Sequence, residues 1–129
     1  MNLLLDTNAL FWIAESKTKS LGKGALRIIQ KSDAVYFSSI SIAELTIKSM
    51  LKKGKYLPRS TEVIATSGLI ELEFDASHAQ AIDNFPSLIR HDPFDRMLLA
   101  QAFSEGLILL TSDETLLRLG LNYVLDARD

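Results

Sequence analysis

The chain has 129 residues, 47% apolar and 23% charged, so one compact domain with a full hydrophobic core is expected. Its formal net charge of −2 excludes binding nucleic acid by bulk charge, and any such partner would need a local basic patch. The absence of cysteine excludes disulfides, thiolate chemistry and cysteine-held zinc.

No apolar run approaches the ~20 residues of a membrane span, and the N-terminus has no basic leader, so a cytoplasmic location is expected. Leu3-Leu4-Leu5 is a short apolar run closed by Asp6-Thr7-Asn8, the pattern of a buried strand. A short helix is expected over Ala9 to Glu15 and a second over Leu21 to Lys31. Val35-Tyr36-Phe37, β-branched and aromatic, reads as the second strand. Ser41 opens a helix with Ile42, Leu45, Met50 and Leu51 on its apolar face, and Gly54 stops it. Pro58 and Arg59 begin another helix, which reaches about Ser67.

Leu69 to Phe74 alternates polar and apolar positions, as an edge strand does. Asp75 then caps a helix through Ile82, limited by Pro86. Asp92-Pro93 starts a long helix that Gly106 ends. Leu107 to Leu110 is a buried strand, Asp113 to Leu119 a short helix, and Tyr123-Val124-Leu125 the last strand. Strands alternating with helices imply parallel pairing through right-handed crossovers. The expected fold is α/β: a doubly wound parallel sheet in an α/β/α sandwich, strand order 3-2-1-4-5, with residues 1–129 forming a single domain.

Ligands in such folds bind at the carboxyl ends of the strands. Four acids fall there: Asp6 ends strand one, Glu44 lies in the first turn after strand two, Asp95 opens the long helix, and Asp113 follows strand four. Carboxylates so grouped suit Mg²⁺ or Mn²⁺, which take oxygen ligands and promote in-line displacement at phosphodiesters. Taken singly, each also reads as a helix-start residue. Ser41 to Glu44 is a capping box, and Asp92, Pro93 and Asp95 fit N-cap, N1 and N3. Asp6 stands apart because it ends a buried strand. Asparagine in place of a metal-holding Asp95 should cut activity without lowering metal-free stability, and Asp6→Asn is expected to behave alike.

Other equipment is sparse. There is no G-x-x-x-x-G-K-[ST] loop and no G-x-S-x-G elbow. His78 and His91 are the only histidines. His91 reads as an exposed loop residue, with phosphate contact as the alternative. Phe11 and Trp12 read as core or dimer contacts. Lys48, Lys52, Lys53 and Arg59 lie in an acid-free stretch, either a solvated helix end or a surface for RNA or a partner.

Four segments carry a resemblance: Leu4 to Leu10 (LLDTNAL), Ser38 to Leu45 (SSISIAEL), His91 to Ala102 (HDPFDRMLLAQA) and Leu110 to Asp113 (LTSD). Together and in this order they resemble the PIN-domain nucleases, and among them the VapC-type toxins of type II toxin–antitoxin systems. The resemblance implies an Mg²⁺-dependent endoribonuclease with Asp6, Glu44, Asp95 and Asp113 as its acidic constellation. Asp6 and Asp95 would be the principal metal ligands, and Thr7 and Thr111 would support them by hydrogen bonding. It also implies a homodimer, inhibited by a small antitoxin whose C-terminal segment crosses the groove.

Three other readings compete. A receiver-like binding module would want paired acids after strand one and a Lys after strand five, where Asp6 stands alone and Ala127-Arg128 replaces the Lys. A haloacid-dehalogenase phosphatase needs Asp-x-Asp, and Asn8 holds the second position. A catalytically inactive PIN-like module keeps the motifs and lacks the chemistry.

Overall fold

The computed structural model describes residues 1–51 and 59–129, and the side chains of all of these but 59, 60, 61 and 63. The sheet is five-stranded, entirely parallel, and ordered β3-β2-β1-β4-β5, as the pattern of strands and helices predicts. Its strands are β1 (Asn2–Leu5), β2 (Ala34–Ser38), β3 (Ile70–Leu72), β4 (Ile108–Thr111) and β5 (Val124–Asp126). Around them lie α1 (Thr7–Ala14), α2 (Lys23–Lys31), α3 (Ser39–Leu51), α4 (Arg59–Thr66), α5 (Ala76–Ala81), α6 (Pro93–Glu105) and α7 (Glu114–Leu117).

The two apolar strands sit side by side at the centre, with Leu3 against Ile108, Leu4 against Leu109 and Leu5 against Leu110. Both faces of a central parallel strand are covered, so both must be apolar. Leu5 and Leu110 face one core with Leu10, Ala25, Phe37 and Leu45. Leu4 and Leu109 face the other with Leu98, Leu99 and Leu116. Phe11 and Trp12 pack half-buried against the first core.

Several boundaries move from those expected. α1 begins at Thr7 because Asp6 itself caps it, taking the Ala9 N–H on Oδ1 at 2.8 Å. α3 begins at Ser39, two residues early, because Ser38 Oγ accepts the Ile40 N–H at 3.0 Å. Ser41 is therefore inside the helix, and Glu44 lies in its second turn, so the expected capping box is not formed. Met50 and Leu51 are 78% and 79% exposed, and the buried face of α3 is instead Ser41, Glu44, Leu45 and Ser49. β3 is shorter than expected because the following N–H groups turn aside, Phe74 to Ser39 Oγ and Asp75 to His78 Nδ1. The expected stop at Gly54 lies outside the described residues. α6 follows its punctuation: Asp92 caps it and Gly106 closes it at φ 67°.

Candidate functional site

β1 and β4 end together, and the ladder continues one step as the Asp6 N–H donates to Leu110 O at 2.9 Å. That step sets Asp6 beside Thr111. Thr111 Oγ1 donates to Asp6 Oδ2 at 2.7 Å, and the Ser112 N–H adds a second bond at 3.1 Å. With the Ala9 N–H on the other oxygen, the buried carboxylate is fixed by three donors. Burial nevertheless pushes its pKa up, with the Glu44 charge adding to the rise.

Thr111 also holds the next acid. Its Oγ1 accepts the Asp113 N–H at 3.0 Å, while Asp113 Oδ2 caps α7 by accepting the Leu116 N–H at 2.9 Å. Glu44 reaches the same place from α3. One of its oxygens pairs with Lys48 Nζ at 3.0 Å, and the other, Oε1, is buried with no hydrogen-bond partner among the described residues. Asp95 enters from the first turn of α6. Its carboxyl is pushed up to about 8, first by burial and then by the charges of Asp113, Asp92, Asp6 and Glu44.

These side chains line one open cleft of about 410 Å³, together with Thr7, Asn8, Lys48 and Asp92. All four acids read from the sequence thus meet; Asp6 and Asp113 also cap helices, so capping and convergence coexist there, while Asp95 lies in a first turn that Asp92 caps. Asp92 accepts from the Phe94 and Asp95 N–H groups, as a cap does. Thr7 does not touch a carboxylate; its Oγ1 donates to Ser41 Oγ at 3.0 Å and ties α1 to α3. Lys48 lines the cleft, whereas Lys52, Lys53 and the Arg59 side chain lie outside the described residues.

His91 corrects the expectation of an exposed loop residue. It is half-buried, with Nε2 3.1 Å from Asp113 Oδ2 and 3.4 Å from Asp95 Oδ2. His91 lies outside α6, ahead of its cap Asp92, so helical spacing gives no signal for this contact.

The residues fit a divalent cation. Like-charged carboxylates are held together, one buried oxygen has no partner among the described residues, and carboxylate oxygens suit a hard ion.

The sequence profile of the PIN domain matches residues 3–121. The chain belongs to the PIN-domain family. PIN domains are nucleases, and their members generally use a divalent metal. Solved structures of similar fold include DNA-bound VapBC from Salmonella typhimurium (TM-score 0.71, 23% identity, 98% of each chain covered). VapBC2 from Rickettsia felis, bound to a fragment of its promoter DNA, gives 0.69 and 20%, covering 97% of this chain and 96% of that one. A toxin–antitoxin complex from Klebsiella pneumoniae gives 0.64 and 17%, with 97% of each covered. At these identities the likeness is one of fold. No curated protein matches the sequence.

Thr111 gives a test of how the site is held. Thr111→Val keeps the shape, removes the donor to Asp6 and leaves the Asp113 N–H unpaired. It should cost about 1–3 kcal/mol of stability and lower metal affinity at least ~10-fold, while Thr111→Ser retains most of both. Urea unfolding and Mn²⁺ titration of the two variants check it; a harmless Thr111→Val would remove the hydroxyl from this role.

Proposed function

We propose that residues 1–129 form a single nuclease domain, an Mg²⁺- or Mn²⁺-dependent endoribonuclease acting as the toxin of a toxin–antitoxin pair. The observation that carries the reading is the convergence of Asp6, Glu44, Asp95 and Asp113 on one cleft at the carboxyl edge of the sheet. Family membership supports the chemistry, and the fold shared with toxin–antitoxin complexes supports the biological role.

In this reading Asp6 and Asp95 are the principal metal ligands, and Glu44 and Asp113 complete the carboxylate set. The cation, when bound, activates water and neutralises charge on the phosphodiester. The chain's own part is positioning. Thr111 locks Asp6 and the Asp113 backbone into one frame, and Lys48 holds one oxygen of Glu44 while the other has no partner among the described residues. RNA is the substrate, the protein acts as a homodimer, and a small antitoxin covers the cleft.

EDTA should abolish cleavage of single-stranded or looped RNA, and Mg²⁺ or Mn²⁺ should restore it. Products should carry 5′-phosphate ends, because water attack expels the 3′-oxygen. Cleavage undiminished in EDTA, or cyclic 2′,3′-phosphate ends, would sink the metal reading. No cleavage with Mn²⁺ bound would favour the inactive PIN-like module. The partner arm is tested by growth arrest on expression, relieved by co-expressing the adjacent small reading frame.

The basic stretch is tested by replacing Lys48, Lys52, Lys53 and Arg59 together with glutamine. If they touch RNA, binding weakens and its salt dependence flattens, since fewer counterions are released. An unchanged salt slope assigns them to a solvated helix end.

A further inference from the structure

His91 lies just ahead of α6, where Asp92 caps the helix and Pro93 follows. Its backbone is anchored, since the His91 N–H donates to Leu88 O at 2.9 Å and Arg96 reaches back to Ile89 O at 3.3 Å. The ring meets two of the acids that line the cleft, Asp95 and Asp113. Nε2 stands 3.1 Å from Asp113 Oδ2 and 3.4 Å from Asp95 Oδ2, and one donor atom from each of the three residues lies within 4.8 Å of the others. Donors ~2.1 Å from a common cation stand about 3 Å apart when adjacent in an octahedron. The Asp113 oxygen also accepts the Leu116 N–H, the kind of bond that orients a ligating carboxylate. An independent pointer to a cation is Glu44, 9% exposed and lining one cleft with Asp95 and Asp113, its Oε1 without a partner among the described residues.

We propose that His91 is itself a metal ligand, its Nε2 joining the Asp95 and Asp113 carboxylates as one nitrogen–oxygen–oxygen face of the site. An imidazole in the set shifts preference from Mg²⁺, which takes oxygen, toward first-row transition ions such as Mn²⁺. The competing arrangement has the Nε2–H donating to the two carboxylates, with only oxygens meeting the ion. The inference rests on the nuclease reading only in placing a cation in the cleft.

The two arrangements differ spectroscopically. Mn²⁺ is titrated into the purified protein, and pulsed electron paramagnetic resonance reads nitrogen coupled directly to the ion. Wild type should show a ¹⁴N coupling that changes to ¹⁵N when histidine is isotopically labelled. The other histidine, His78, is buried with its two ring nitrogens engaged by the Asp75 N–H and Glu105, so the signal reports His91. His91→Gln should lose the coupling, with the Kd for Mn²⁺ rising about tenfold and that for Mg²⁺ by about twofold or less. Bound Mn²⁺ without histidine coupling in wild type overturns the inference and leaves the carboxylate site intact. Failure of wild type to bind Mn²⁺ overturns both. The labelled wild type decides the matter even if His91→Gln fails to fold.

Discussion

Asp95→Asn is expected to cut RNA cleavage by about 10²-fold or more while making the metal-free protein more stable, since loss of a mere supporting group already lowers metal affinity 10–100-fold. The carboxyl of Asp95 sits near 8 in the folded chain, raised by burial and four neighbouring acids, against ~3.9 when unfolded. Between those values the folded state keeps a proton that the unfolded state has lost. Stability therefore falls as pH rises through this window, and the full penalty is present above pH 8. Asparagine removes the charge and with it the penalty, a gain of about 1–3 kcal/mol at pH 8 and nothing at pH 4. The opposing loss is that of a first-turn acid at a helix N-terminus, up to ~1 kcal/mol, so relief of repulsion wins. Saturating Mn²⁺, at ~100 Kd, should stabilise wild type by ~2.7 kcal/mol and the variant far less. Thermal unfolding at both pH values, with Mn²⁺ added at pH 8, is read beside a cleavage assay. A variant that is less stable, fully active and still shifted by Mn²⁺ would assign Asp95 to capping alone.

The topology was legible because its signals are periodic and redundant. Leu3-Leu4-Leu5 and Ile108 to Leu110 show no polar alternation, which marks strands covered on both faces. Asp92, Pro93 and Gly106 punctuate α6 with three separate backbone requirements. The start of α3 was not legible, because Ser38, Ser39 and Ser41 are all competent caps and only the fold selects Ser38. Its buried face was missed for a deeper reason. Glu44 is buried where it lines the cleft and Ser41 where it accepts from Thr7, Ser49 is buried beside them on the same helix, and hydrophobic periodicity cannot register a polar face turned inward.

The acids were legible as a set. Whether they capped helices or held a cation was not, because both tasks draw carboxylates to the same sheet edge. The structure shows that capping and convergence do not exclude one another: Asp6 and Asp113 each accept a backbone N–H at a helix start and line one cleft with their fellow acids. His91 escaped because it lies ahead of the helix cap, where neither loop composition nor helical spacing tells ring direction.

Asp6→Asn should abolish activity as thoroughly as Asp95→Asn but, contrary to the expectation from sequence, should leave a weaker protein. Asp95 is 22% exposed in its side chain, is repelled by four neighbouring acids and has His91 Nε2 at 3.4 Å, whereas Asp6 is enclosed by three donors. Oδ1 takes the Ala9 N–H, and Oδ2 takes both the Ser112 N–H and the Thr111 hydroxyl. Asparagine has only one oxygen. If that oxygen keeps the Ala9 cap, its NH₂ group faces the Ser112 N–H; if it turns to Ser112, the NH₂ faces Ala9. Either orientation leaves one buried N–H opposed by another, at about 1–3 kcal/mol. Removing the buried charge returns part of this, because burial raises the Asp6 pKa. The informative quantity is thus the difference between the two variants. Metal-free Asp6→Asn should unfold about 1–3 kcal/mol more easily than Asp95→Asn at pH 8, and Mn²⁺ should stabilise neither as it does wild type. Equal stability of the two variants would show that the three-donor frame does not demand a carboxylate. An undiminished Mn²⁺ shift in Asp6→Asn would take Asp6 out of the metal site.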